Sequence, residues 1–130
     1  RCISMFNFSN SVFKLRSISE SDVIKDIRTF MLPGENIVSA FRSGRDQVVF
    51  TDKRIIALDV KGITGSRKEF STLPYSKIVH FTVQTPGFLE FNNDSELVVA
   101  YPNGALIQFE FSGGNVNILE IAQIISRYVL

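Results

Sequence analysis

Residues 77–85 read KIVHFTVQT, in which Val79, Phe81 and Val83 alternate with His80, Thr82 and Gln84. Side chains of a strand point to opposite faces at successive residues, so this stretch predicts a strand with one apolar face and one polar face. The same period of two extends in both directions. From Ile37 onward, short apolar runs follow one another between turn residues, and strands are predicted near 37–42, 46–51, 54–60, 67–73, 77–85, 96–101 and 105–111. Tyr101-Pro102-Asn103-Gly104 joins the last two, and Asn-Gly supplies the positive φ that a tight hairpin needs.

The strands are flanked by two segments of helical period. In SESDVIKDIRTFML (19–32), Ser19 and Asp22 form a capping-box pattern and Val23, Ile27, Phe30 and Met31 share a face, with Pro33-Gly34 as the stop. After Gly113-Gly114, Asn117 with Glu120 predicts the cap of a helix to about Val129, with Ile118, Ile121, Ala122, Ile125 and Tyr128 along one side. That side must bury against the strands. Seven strands and one terminal amphipathic helix predict a mainly β, partly open barrel or orthogonal sandwich, capped by the C-terminal helix and carrying an extra N-terminal helix.

At 130 residues the chain has room for one domain with one core. Residues 1–18 are read as an N-terminal arm, and 19–130 as the domain. The arm contains MFNFSNSVF, too apolar for a free tail, and is expected to pack on its own barrel or on a neighbour. Polar residues interrupt its apolar stretch too often for a signal peptide, and no run reaches the length of a membrane-spanning helix. The single Cys2 requires no oxidising compartment, so a cytoplasmic setting is expected, with contact at a membrane surface as the other possibility.

Local sequence goes further than architecture. The run from Gly34 to Gly87, with Gly34-Glu35, Arg45-Asp46, Phe50-Thr51-Asp52-Lys53-Arg54, Asp59, Gly62, Gly65, Pro74-Tyr75, Ile78, Thr85 and Gly87, resembles the bacterial pleckstrin-homology-like domains, formerly a domain of unknown function. The chain departs from that pattern at Gln84, where the family usually has an acid, and at Pro86. The resemblance implies a pleckstrin-homology-like fold, assembly into symmetric rings and no enzymatic activity.

The net charge of +1 hides an uneven distribution. Residues 42–68 hold seven basic groups against three acids, a local charge of +4, and residues 69–130 hold two against six, a charge of −4. Such asymmetry can attract an anion or let one copy dock on another. Arg42, Arg45, Lys61, Arg67 and Lys68 are the candidate anion or lipid-headgroup residues, acting through charge-assisted hydrogen bonds to phosphate oxygens. The two-residue loop near Ser43-Gly44 is short for wrapping a headgroup. Phe6, Phe8, Phe13, Arg45 and Asp46 are the candidate interface between copies, and Arg45-Asp46 is also suited to fixing strand register.

No catalytic or metal site is expected. His80 is the only histidine, no metal-ligand spacing occurs, and no Gly-x-Ser-x-Gly turn presents a nucleophile. No cofactor is expected, nor nucleic-acid binding, because the phenylalanines alternate inward instead of interleaving with cations. The leading expectation is a non-enzymatic binding or assembly module forming cyclic homo-oligomers. Another protein partner, or an anionic membrane surface, is the alternative.

Overall fold

A computed structural model describes the backbone of residues 10–85, 94–113 and 116–130, with side chains from residue 14 onward. Its element order is β1 (Asn10–Ile18), a 3-10 turn (Glu20–Asp22), α1 (Lys25–Phe30), β2 (Ile37–Ser43), β3 (Asp46–Thr51), β4 (Arg54–Lys61), β5 (Arg67–Pro74), a 3-10 turn (Tyr75–Lys77), β6 (His80–Gln84), β7 (Ser95–Ala100), β8 (Leu106–Ser112) and α2 (Ile118–Val129). The strands make one curled sheet in the order β5-β4-β3-β2-β1-β8-β7-β6. β5 and β6 stand at its two ends and do not pair, so the barrel is partly open, as expected.

The inner face carries the main core. Phe41, Phe50, Phe109 and Phe111 are fully buried, with ring centroids 4.6 Å apart for Phe41 and Phe111 and 5.6 Å for Phe50 and Phe109. Ring pairs of this kind contribute about 0.5–1.5 kcal/mol each beyond the area they bury. α2 covers the mouth through Ile118, Ile121, Ile124 and Ile125, and Asn117 caps it by accepting from the Glu120 N–H at 3.1 Å. The β7–β8 hairpin turns on Gly104, whose φ is 84°.

Three expectations are corrected. Residues 10–18, set apart in the arm, form a strand between β2 and β8, antiparallel to the first and parallel to the second. Leu15 is buried in the main core, while Lys14 and Arg16 stay exposed. This segment completes the sheet because it already alternates apolar and cationic residues.

The helix expected over 19–32 is broken in two, with Val23 and Ile24 extended between the pieces. The buried Gln47 of β3 takes the place of the missing helical bonds: its Oε1 accepts from the Ile24 N–H and its Nε2 donates to the Asp22 carbonyl, both at 3.1 Å. Ser19 bonds the Asp22 carboxylate instead of a backbone N–H. The break lets Val23 and Ile27 both reach the outer face of the sheet, where they form a second core with Ala40, Val49, Ile56 and Leu58.

The strand expected over 77–85 starts only at His80, because Tyr75–Lys77 is a 3-10 turn. Val79, expected on the buried face, is half exposed, whereas Phe81 and Val83 do pack on the core.

Candidate functional site

The β2–β3 and β4–β5 turns meet at one end of the molecule, which brings part of the basic cluster together. Gly44, with φ of 60°, closes the β2–β3 hairpin and delivers Arg45 to the neighbouring turn. Its guanidinium donates to the Gly62 carbonyl at 2.7 Å and the Val60 carbonyl at 3.3 Å, and Asp46 Oδ1 accepts from the Val60 N–H at 2.8 Å. A Cβ on Gly65 would meet Val60 Cγ1 at 3.4 Å and the Arg45 guanidinium at 3.6 Å. Arg45 and Asp46 therefore brace one turn against the other within a single copy.

Two more members of the cluster are engaged. Lys61 Nζ lies 3.3 Å from Glu69 Oε1 and 3.7 Å from Asp59 Oδ2, and Lys68 Nζ lies 2.9 Å from Asp26 Oδ2. Among the described residues, the side chains of Arg42 and Arg67 have neither hydrogen-bond nor ion-pair partner, and both residues are exposed. Arg42 sits directly across from Arg16, and Arg67 across from Lys61. Of the candidate interface residues, Phe6 and Phe8 lie outside the described residues, as do Pro86 and Gly87. Phe13 holds a place in β1 level with Phe109 of β8.

Asp59, buried at 1% exposure, carries a cost. Burial and then the neighbouring Asp46 carboxylate push its pKa up, against the pull of Lys61. An acid whose pKa rises on folding costs stability as pH climbs through and above its ordinary value. Asp59→Asn is therefore expected to raise the melting temperature at pH 7 by a few degrees, a gain that shrinks near pH 4; thermal melts at the two pH values check this.

A second cluster, to which sequence reading assigned no role, lies at the β3–β4 turn. Glu35, with its side chain fully buried, accepts from Arg54 Nε at 3.0 Å and Nη2 at 3.0 Å, from the Thr51 hydroxyl at 2.6 Å and from the Leu32 N–H at 3.0 Å. Arg54 also reaches the Phe30 carbonyl and Thr72, and lies over the Phe30 ring at 4.9 Å. Burial opposes ionisation of Glu35, but these donors outweigh it and hold the carboxyl at about 2. Tyr75 Oη donates to the Thr51 carbonyl at 2.7 Å and Tyr128 Oη to the Asp52 carbonyl at 2.6 Å, while Asp52 accepts from Asn36. Glu35, Thr51, Asp52, Arg54 and Tyr75 all belong to the motif that carries the resemblance. Here they tie the entry segment, the β3–β4 turn and the end of α2 together, with the Glu35–Thr51 and Tyr75–Thr51 bonds buried and the rest part-buried or at the surface.

A shallow groove of about 400 Å³ runs along the end of β5, lined by Leu73, Pro74, Lys77, Tyr101, Pro102 and Ala105 among others. Its lining contains no carboxylate or histidine to act as a base beside a nucleophile. His80 is exposed on β6, opposite Ala100. Among the described residues no three His, Cys, Asp or Glu side chains are grouped to hold a metal ion, and no helix is long and apolar enough to cross a membrane.

A family model described as bacterial PH domain matches residues 7–129. The chain is 42% identical over 83 residues to the uncharacterized protein YjqA of Bacillus subtilis, covering 64% of this chain and 65% of that protein's length. It is 28% identical over 113 residues to YozO of the same organism, covering 87% of this chain and 95% of the other. A crystal structure of a DUF1696 family protein with a pleckstrin-homology domain, from Shewanella loihica, superposes with a TM-score of 0.69 at 25% identity, covering 91% of this chain and 99% of that one.

Proposed function

The chain belongs to the bacterial PH domain family, and on that footing we propose that it is a non-catalytic binding module that assembles with copies of itself into a closed ring. The observation that carries this reading is the open sheet, whose two end strands are unlike. β5 is eight residues long and opens on Arg67-Lys68, whereas β6 is five residues long and reads HFTVQ. An end strand presents a row of N–H and C=O groups ready to pair with another chain. Pairing β5 of one copy with β6 of the next is a head-to-tail contact, which repeats and forms a ring when its rotation closes. The opposite charges of residues 42–68 and 69–130 favour the same arrangement.

Light scattering tests the proposal. At micromolar concentration and low salt the mass is expected to be a multiple of the 14.6 kDa chain, falling as salt screens the charged segments. A mass of one chain under those conditions would refute it.

A second reading, contact with an anionic membrane surface, is supported by one feature: Ile63 is wholly exposed at the tip of the β4–β5 turn, which leads into the exposed Arg67 at the start of β5. Against it, Arg45, Lys61 and Lys68 are occupied within the fold. Sedimentation with phosphatidylcholine vesicles, with and without phosphatidylserine, separates the two: the assembly reading expects no binding that depends on the anionic lipid or on Arg67→Glu.

A further inference from the structure

The outer face of β1, β8 and β7 presents an unusual arrangement of charge. Arg16 of β1 and Arg42 of β2 are direct cross-strand partners, both exposed, and Lys14 lies two residues along from Arg16 on the same face, level with Glu110 of β8. Glu96 of β7 and Glu110 of β8 are likewise direct partners, and the Gln108 carboxamide donates to both, one of the bonds at 3.1 Å. Like charges set directly opposite one another destabilise a sheet. This face holds two such pairs, one of each sign.

The covering of the sheet explains where they sit. The segment from Val23 to Ile37 packs its apolar residues on the outer face of β2, β3 and β4. Beyond β2 the described residues place nothing on the outer face: Glu96, Val98, Gln108 and Glu110 are half-buried, and Leu106 is 43% exposed. The arginine pair straddles β1 and β2 and the glutamate pair straddles β8 and β7, two strand spacings across the sheet and two residues along it, so their centres lie about 12 Å apart. β1 and β8 are the strands between them.

We infer that this face is a two-fold contact between copies of the chain. A two-fold axis lying in the contact plane, parallel to the sheet, crossing the boundary between β1 and β8 and perpendicular to the line joining the two pairs, sets the arginine pair of one copy over the glutamate pair of the other, and the reverse, so both like-charge pairs gain opposite-sign partners across the contact. Val98 and Leu106 supply apolar surface beside the charges. The contact uses neither free end strand of the sheet, so it is independent of edge-to-edge assembly; where both operate, it pairs two rings face to face.

Charge exchange tests it. Arg16→Glu/Arg42→Glu and Glu96→Lys/Glu110→Lys are prepared separately and compared with the unaltered chain by light scattering at low salt. Each variant alone is expected to show half the mass of the unaltered chain, and a mixture of the two to restore the full mass. Unchanged masses for the single variants, or a mixture that stays at the halved mass, would overturn the inference. If edge-to-edge assembly fails instead, the unaltered chain is a dimer and each variant a monomer, and the halving remains.

A second measurement does not depend on the folding of those variants. Ser112 is exposed and level with Arg16, close to the proposed axis. In a Cys2→Ser background, Ser112→Cys is expected to give a disulfide-linked dimer under mild oxidation at low salt and a single chain at high salt. A single chain at both overturns the inference.

Discussion

Removing residues 1–18 is expected to abolish cooperative folding. β1 pairs in register with β8 from Asn10 to Arg16 and with β2 from Arg16 to Ile18. Without it the β2–β5 and β6–β8 halves of the sheet lose the strand that joins them, and two interior strands become edges. The loss includes the burial of Leu15, at 2% exposure, and a ladder of hydrogen bonds on both sides. At about 1 kcal/mol per net hydrogen bond and 2–3 kcal/mol for a buried leucine, the sum is on the order of 10 kcal/mol, the size of a domain's whole stability. Urea unfolding followed by circular dichroism should show no sigmoidal transition. A transition like that of the full chain would mean that β1 is dispensable. Of the two places expected for the arm, its own barrel or a neighbour, residues 10–18 take the first, so their removal tests folding first.

Arg54→Ala is expected to cost about 3–5 kcal/mol, because it leaves the buried Glu35 carboxylate without its charged partner. Replacing both partners, Glu35→Leu with Arg54→Met, is expected to cost markedly less, since no unpaired charge remains. The pair also fixes the response to acid. Glu35 titrates at about 2 in the folded chain against an ordinary value of 4.5. Its contribution is therefore complete above pH 4.5 and is lost as pH falls from there toward 2. The shift corresponds to about 3 kcal/mol. Urea midpoints measured from pH 6 to pH 2.5 should decline along this limb in the unaltered chain and much less in Glu35→Gln. Equal declines would show that other carboxylates dominate.

The parts of the fold that were legible in the sequence are those where one residue type does one job. Alternation in IQFEF (107–111) marks a strand with one wet face, Asn103-Gly104 marks a hairpin, and Asn117 with Glu120 marks a helix start. The parts that were not legible depend on what packs where. IIAL (55–58) does not alternate because β4 is covered on both faces, by the main core and by the residues around Val23 and Ile27. The break at Val23-Ile24 is set by Gln47, more than twenty residues away, whose carboxamide no local pattern reveals. β1 did carry a signal, the alternation of Phe13 and Leu15 with Lys14 and Arg16, but its apolar residues read equally well as an arm until β8 was in place beside it.

The candidate site divides in the same way. Charge counting located the end of the molecule where Arg45, Lys61, Arg67 and Lys68 gather, because the hairpins bring those turns together. It could not tell that Arg45, Lys61 and Lys68 are taken up by Val60, Gly62, Asp59, Glu69 and Asp26. The motif from Glu35 to Tyr75, part of the stretch that carries the resemblance, is spent on hydrogen bonds within the chain, centred on the buried Glu35, Thr51 and Tyr75, that hold the fold's shape. A shared motif of this kind fixes a scaffold and leaves the working surface to the exposed strands.

Hydrogen exchange at the sheet's two end strands tests the central claim most directly, because it reads the edges that the account pairs between copies. The amides of β5 and β6 that point off the sheet should exchange slowly at concentrations where the mass is that of the assembly, and rapidly after dilution or added salt returns the chain to lower mass. Edge amides that exchange rapidly in the assembled state, with protection appearing elsewhere, would contradict assembly through the open sheet.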